Sequence, residues 1–375
     1  MSRGGAARLA ASGKRNLDRF RRGISTPANA NINTTMATTR ISDIIVPDLW
    51  VPYMIERTAQ KSRLIQSGII ERDPEFDRLA NADGGRTVNM PFWTDLTGAD
   101  EVISDTGVLT PAKMGTSKDV AAIHWRAKAW SHNDLAKHLA GDDPSAAVAD
   151  LVGEYWNRRM QAFLNASLTG IFAAASMATN ALDLHVTGGG GQPTSANILS
   201  GLTFLKGKQL LGDSKDKLVA IAMHSAVETQ LLALDMIDFV PDSEGKMTIQ
   251  VFQGLEVIVD DNLPIETIDG KLVFHTFLFG RGAFGLGMGR KNEAVEGGIG
   301  TWEVELSREA LAGDSYLINR RKFILHPRGV KWADAVVAGS TGPTNTELED
   351  ATNWARVFEQ KNVRIVRIRH NVLPM

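Results

Sequence analysis

Cysteine is absent from the chain, which excludes disulfides, thiolate zinc sites, iron–sulfur clusters and a thiol nucleophile together. Stability must therefore come from packing and from contacts between subunits. No stretch approaches the roughly 18 consecutive apolar residues that span a bilayer, and the N-terminus lacks the apolar core of a secretory signal, so a soluble chain with no membrane partner is expected. Catalytic signatures are missing as well. There is no H-E-x-x-H pair and no G-x-S-x-G elbow, and Gly207 to Ser214 has phosphate-loop glycine spacing but carries Asp213 where the lysine belongs. Gly280, Gly282 and Gly285 do match G-x-G-x-x-G after a predicted strand. A dinucleotide site also needs a helix directly afterwards, and Gly287, Gly289, Gly297, Gly298 and Gly300 argue against one. The glycines read instead as permitting tight β turns, and no catalytic, cofactor or metal residues are assigned.

What is present is ordinary globular composition, 43% hydrophobic and 22% charged over 375 residues, enough for a sizeable core. The net charge of −2 conceals an asymmetry. Residues 1–35 hold Arg3, Arg8, Lys14, Arg15, Arg19, Arg21 and Arg22 against Asp18, a balance of +6, which leaves −8 on the remainder. With few large apolar side chains, residues 1–40 form either an arm that orders against a partner or a passive tail.

The patterning along the rest of the chain is more specific. Apolar residues from Ile44 to Val51, broken by Pro47 and Pro52, lead into a helical stretch at 53–67. Strand patterns at 86–93 and 120–130 flank about two dozen residues rich in Asp, Gly, Thr and Ser, which predicts an extended hairpin. Asp142-Asp143-Pro144 is a helix start, and Val148, Leu151, Val152, Tyr155, Trp156, Met160, Phe163, Leu164, Leu168, Ile171 and Phe172 recur at three and four residues after it, with Glu154 and Arg158 as an i,i+4 pair on another face. That spacing predicts a helix over 144–175, on the order of 45 Å long. After the glycine run at 188–191, helices at 198–211 and 226–236 alternate with strands at 218–223, 248–252, 255–259 and 272–279, a mixed α/β domain. Strands at 302–306 and 316–325 are expected to rejoin the first unit, followed by a helix at 347–358 and a strand at 363–368.

The remaining polar features read as structural. His132, Asp134 and His138 offer no third ligand at a regular spacing, and His224 follows a buried strand. Two basic clusters, Arg320-Arg321-Lys322 and Arg364, Arg367, Arg369 with His370, could touch phosphates, but ion pairing within an acidic body is the favoured reading.

The order of parts (charged arm, long two-stranded loop, long helix, α/β domain, returning strands) resembles the Hong Kong 97-like fold of tailed-bacteriophage major capsid proteins. Local phrases resemble the family too: Ile-Ser-Asp-Ile-Ile-Val-Pro-Asp-Leu-Trp-Val-Pro-Tyr from Ile41, Ile-Ala-Met-His at 221–224, Gly-Leu-Glu-Val-Ile-Val-Asp-Asp-Asn-Leu-Pro at 254–264, and 319–332 ending in Pro-Arg-Gly-Val-Lys-Trp. The resemblance implies an α+β fold with an N-terminal arm (1–40), a peripheral domain begun at 41–85 and continued with a spine helix at 131–191, an extended β-hairpin loop (86–130), an axial domain (192–312), and strands and a C-terminal segment (313–375) returning to the peripheral domain. It implies hexamers and pentamers in an icosahedral shell around double-stranded DNA contacted non-specifically, with scaffolding and portal proteins and a decoration protein as partners, in the virion and, during assembly, the host cytoplasm. Candidate contacts between subunits are Phe92, Trp93, Val102, Ile103, Val108, Leu109 and Met114 on the loop and Arg15, Arg19 and Arg22 on the arm. Some relatives crosslink through a loop lysine; Lys113 and Lys118 lie in that region, but solvated lysines are the expectation. The rival readings are an encapsulin-like compartment and, resting on Gly280–Gly285 alone, an α/β dehydrogenase.

Overall fold

A computed structural model describes residues 68–82, 85–103, 105, 108–133, 135, 144–187, 191–241, 247–289, 301–309 and 313–373. The arm residues Arg15, Arg19 and Arg22, the helical stretch at 53–67, and Asp134, His138 and Asp143 lie outside them. In chain order the elements are β1 (Ile70–Arg72), α1 (Pro74–Asn81), β2 (Thr87–Trp93), β3 (Thr116–Ala122), β4 (His124–Asn133), the long helix α2 (Pro144–Ala173), β5 (Ala181–Asp183), α3 (Gly201–Gln209), β6 (Leu218–Met223), α4 (Ser225–Ala233), β7 (Asp238–Pro241) and β8 (Met247–Phe252). There follow β9 (Leu255–Val259), β10 (Ile265–Ile268), β11 (Lys271–Gly280), β12 (Phe284–Gly289), β13 (Thr301–Glu309), β14 (Asp314–Pro327), β15 (Val330–Trp332), α5 (Asn345–Glu349), β16 (Trp354–Arg356) and β17 (Ile365–His370).

Two sheets organise these parts. The first runs β1-β12-β14-β13, with β4 on the opposite side of β14. The second runs β5-β17-β11-β6-β9-β8-β7, with β10 also on β11. Alternation along β6 shows how the second sheet is sandwiched. Ala220 and Ala222 face the core that α2 fills with Phe163, Leu164, Leu168 and Ile171, while Ile221 and Met223 face a second core shared with Phe204 of α3 and Val227 and Leu231 of α4. The 30 residues of α2 thus bury a stripe from Trp156 to Phe172, and Val148, Leu151, Val152 and Tyr155 near its start are only half-buried. No helix among the described residues is long and apolar enough to cross a membrane.

The sheets cut across the blocks expected from the sequence. Strand β12, inside 192–312, pairs with β1 and β14 in the first sheet. Strand β17, inside 313–375, sits in the second sheet between β5, inside 131–191, and β11, inside 192–312. Its apolar run Ile365, Val366, Ile368 suits a strand covered on both faces, which explains the central position.

The apparent Gly-rich bend is a strand because its glycines do something else. A Cβ at Gly285 would come within 2.4 Å of the Phe76 ring, and one at Gly287 within 2.5 Å of the Phe76 backbone. The bare strand is what lets α1 lie directly on it. Gly280 ends β11, Gly282 turns the chain at φ +62°, and a strand follows, so the helix required for a dinucleotide site is not there.

Two further elements differ from expectation. The run at 120–130 breaks at Ile123, whose N–H is taken by Arg86 O at 2.8 Å, and becomes β3 in the hairpin and β4 in the first sheet. The helix expected at 347–358 stops at Glu349. Asp350 accepts the Thr352 N–H and hydroxyl at 2.8 and 2.7 Å, a local alternative to helical bonding, and the chain turns so that the Trp354 indole donates to Leu348 O and meets Trp332 edge-on at 5.0 Å.

Candidate assembly surface

The hairpin of β2 and β3 is in register from Thr87 opposite Ala122 to Trp93 opposite Thr116, with Thr94 N–H donating to Gly115 O at 3.0 Å as the last rung. Its root is fastened to the body by named contacts. Val88, Ala121 and Ile123 share a small core with Phe76, Ala80 and Ile324. Arg86 ion-pairs with Asp334 and donates to Gly339 O. Asp119, nearly fully buried, accepts the Gly329 N–H at 3.0 Å through one oxygen, and its other oxygen lies 3.0 Å from Nε2 of the equally buried His326. Sequence reading missed this pair because its members are 207 residues apart and match no motif.

Beyond the root, the described residues from Asp95 to Gly115 are all exposed. Trp93, Val102, Ile103, Val108, Leu109 and Met114 are all exposed, Val102 and Val108 at 94% and 91%, and Leu96, not among the expected contacts, joins them at 67%. Phe92 behaves differently: it is half-buried, with its ring edge-on to Phe358 of the same chain at 4.9 Å, and so helps anchor the root. Lys113 and Lys118 are both solvated. So many large apolar groups on one excursion exceed the scattered exposure normal for a soluble surface.

The basic clusters are largely satisfied internally. Arg320 ion-pairs with Glu305 at 2.8 Å and Glu303 at 3.3 Å. Arg321 is buried under the Trp156 ring, its guanidinium 4.8 Å from the ring centre, and burial pulls its pKa down to about 10. Lys322 donates to Ala82 O. Arg369 binds Asp183 through two nitrogens at 2.7 and 2.9 Å and reaches Glu266 at 3.2 Å, while Arg364 donates to the Arg281 carbonyl. Such groups are poorly placed to track a phosphate backbone.

His224 and His124 hold structural positions. His224 caps α4, its Nδ1 accepting the Ala226 N–H at 3.1 Å. Burial, with Arg126 and His326 nearby, holds His124 well below the ordinary imidazole range between Phe163 and Phe323. Among the described residues no group of three or more His, Asp or Glu side chains could hold a metal ion.

Comparison with known proteins agrees with this architecture. No family model matches the chain. The major capsid protein of Bacillus phage SPP1 is 42% identical over 339 residues, covering 90% of this chain and 99% of the relative. In fold, the chain is like the capsid of Ralstonia phage GP4 (TM-score 0.57, 12% identity, 90% of this chain and 98% of that one) and the capsid of cyanophage Pam1 (0.55, 10%, 93% and 100%). It is also like the SrpI encapsulin of Synechococcus elongatus (0.53, 11%, 90% and 97%), a likeness of fold alone. Sequence identity at that level, over almost the whole of both chains, decides between shells of the same fold: this chain belongs to the phage major capsid protein family.

Proposed function

We propose that the chain forms an icosahedral shell of hexamers and pentamers around a double-stranded DNA genome, and that the hairpin of β2 and β3 lies across a neighbouring subunit in that wall. The observation that carries the reading is the set of exposed apolar side chains on the loop, Trp93, Val102, Ile103, Val108, Leu109 and Met114, on an excursion built from a well-fastened root. Water-exposed groups of this size gain on the order of 1.5–3 kcal/mol each when fully covered, and a second subunit is the partner a shell supplies. The near-neutral chain and its internally paired arginines suit a wall that touches packaged DNA without holding it. In this reading the arm at 1–40 contacts neighbours through Arg15, Arg19 and Arg22. The block at 192–312 is axial and those at 41–85 and 131–191 are peripheral, with scaffolding, portal and decoration proteins as partners during assembly in the host cytoplasm. Deleting residues 97–117 tests it. A folded subunit that makes no shells is expected, and shells of normal yield and size would refute the overlap.

A further inference from the structure

A cavity of about 160 Å3 is lined by residues of β4, α2, β14 and the start of α5. Trp156, Phe163 and Phe323 supply its apolar lining, and Arg126, Arg159 and Asn345 the polar part. At roughly 30 Å3 per liquid water it has room for about five waters, which suits a small ion and not a polymer.

Positive charge converges on this cavity. Arg126 and Arg321 stand directly opposite each other on β4 and β14, so their side chains leave the same face of the sheet. That face packs on α2: the Arg126 guanidinium lies 5.8 Å from the centre of the Phe163 ring and that of Arg321 4.8 Å from the Trp156 ring. Like charges directly opposite on neighbouring strands are destabilising. Arg159 brings a third charge from the helix. Burial, and after it the Arg159 charge, lowers the Arg126 pKa, while Glu347 acts in the other direction. Glu347 is committed elsewhere, accepting the Ala338 N–H at 2.7 Å and the Thr344 N–H and hydroxyl at 2.7 and 3.0 Å. Arg126 donates from one nitrogen to Pro343 O at 2.6 Å and Asn345 Oδ1 at 3.2 Å, and neither Arg126 nor Arg159 forms an ion pair with a carboxylate among the described residues.

Trp156 gives an independent sign. Its indole is only 5% exposed, yet its Nε1–H meets no acceptor among the described residues. A buried donor left unpaired is costly, so a guest that brings acceptor atoms is favoured. The like charges around the cavity repel a metal cation and favour an anion. We propose that the cavity binds a small tetrahedral oxyanion of the inorganic phosphate class, held by the guanidinium groups of Arg126 and Arg159 and by the Trp156 indole N–H. Such an ion accepts hydrogen bonds at every corner, so one guest serves all three donors and offsets the facing charges. Bound there, it braces β4 against α2 within a single subunit.

Calorimetric titration of inorganic phosphate into unassembled full-length subunits, at constant ionic strength set with chloride, tests it. One saturable site per subunit is expected. Arg159→Gln should weaken the Kd about tenfold, as should Trp156→Phe, which keeps a ring and removes the N–H. The thermal midpoint of the parent should rise with phosphate concentration, and that of either variant should rise less. Arg159 is exposed, so its glutamine variant is expected to fold; if Trp156→Phe melts well below the parent, Arg159→Gln decides alone. Absence of saturable binding overturns the proposal. So does a phosphate effect equal in parent and variants, which is the general action of an excluded anion on any protein. A short DNA duplex that binds through Arg159 while free phosphate does not would also overturn it, and would give these arginines to nucleic acid.

Discussion

Replacing Asp119 with alanine removes one side chain from the root of the hairpin and should be felt well beyond its volume. The carboxylate is nearly fully buried, accepts the N–H groups of Val120 at 2.9 Å and Gly329 at 3.0 Å, and stands 3.0 Å from His326 Nε2. Gly329 is buried and turns at φ +88°, with Phe358 so close that a Cβ there would lie 2.6 Å from its ring, so the turn has no room to find another acceptor. An orphaned buried N–H costs about 1–3 kcal/mol, and the Gly329 N–H would be left without its acceptor, so a loss of about 1–3 kcal/mol is expected. Asp119→Asn, which keeps one acceptor, should lose less than the alanine variant. Urea unfolding of unassembled subunits, followed by tryptophan fluorescence, measures both. A midpoint for the alanine variant within about 0.5 kcal/mol of the parent would refute the idea that this carboxylate clamps the hairpin to the Gly329 turn.

Other expectations follow from neighbouring features. Phe163→Ala should cost about 3–5 kcal/mol in the same assay, because the ring is buried among His124, Phe323 and the Arg126 guanidinium; a shift within error would mean the α2 stripe is not core. Gly287→Ala should destabilise by about 1–3 kcal/mol, since the new Cβ meets the Phe76 backbone and not a movable side-chain tip; an unchanged melting midpoint would mean that α1 yields freely. His370 is buried, donates from Nδ1 to Asn371 O and accepts the Thr276 hydroxyl at Nε2, and burial lowers its pKa from 6.5 to about 4. A lowered folded-state value means that the unfolded chain binds the proton first. The stability from neutral His370 is therefore complete above pH 6.5 and lost as pH falls toward 4, about 3 kcal/mol in all. His370→Gln should flatten that part of the pH profile, and an identical acid slope in parent and variant would contradict the assignment.

Much of the fold was legible because it follows local pattern. The α2 stripe from Trp156 to Phe172 and the β6 run repeat with periods that leave little choice, and the observed helix ends two residues from the expected position. Local pattern failed where a distant partner decides the outcome. The alternate glycines of β12 look like a bend until Phe76, about 210 residues earlier, is seen lying on them. The last turns of the expected C-terminal helix lose to Trp354, which pairs with Trp332 and leaves its indole on α5. The assembly surface was legible in part, since apolar residues inside an acidic, glycine-containing stretch have no period to place them in a core. The intrachain contact of Phe92 was not legible because its partner Phe358 lies more than 260 residues further along the chain.

The position of β17 has a consequence for synthesis. Its six residues lie between β5 and β11, antiparallel to one and parallel to the other, and they follow β5 by more than 180 residues. While the ribosome is still translating upstream of Ile365, the larger sheet is split and both strands that flank the gap are open edges, the kind of surface that misassociates. The sheet can close only after β17 has been translated. A fragment ending before that point lacks the strand that joins β5 to β11, so truncated subunits are expected to be excluded from assembly.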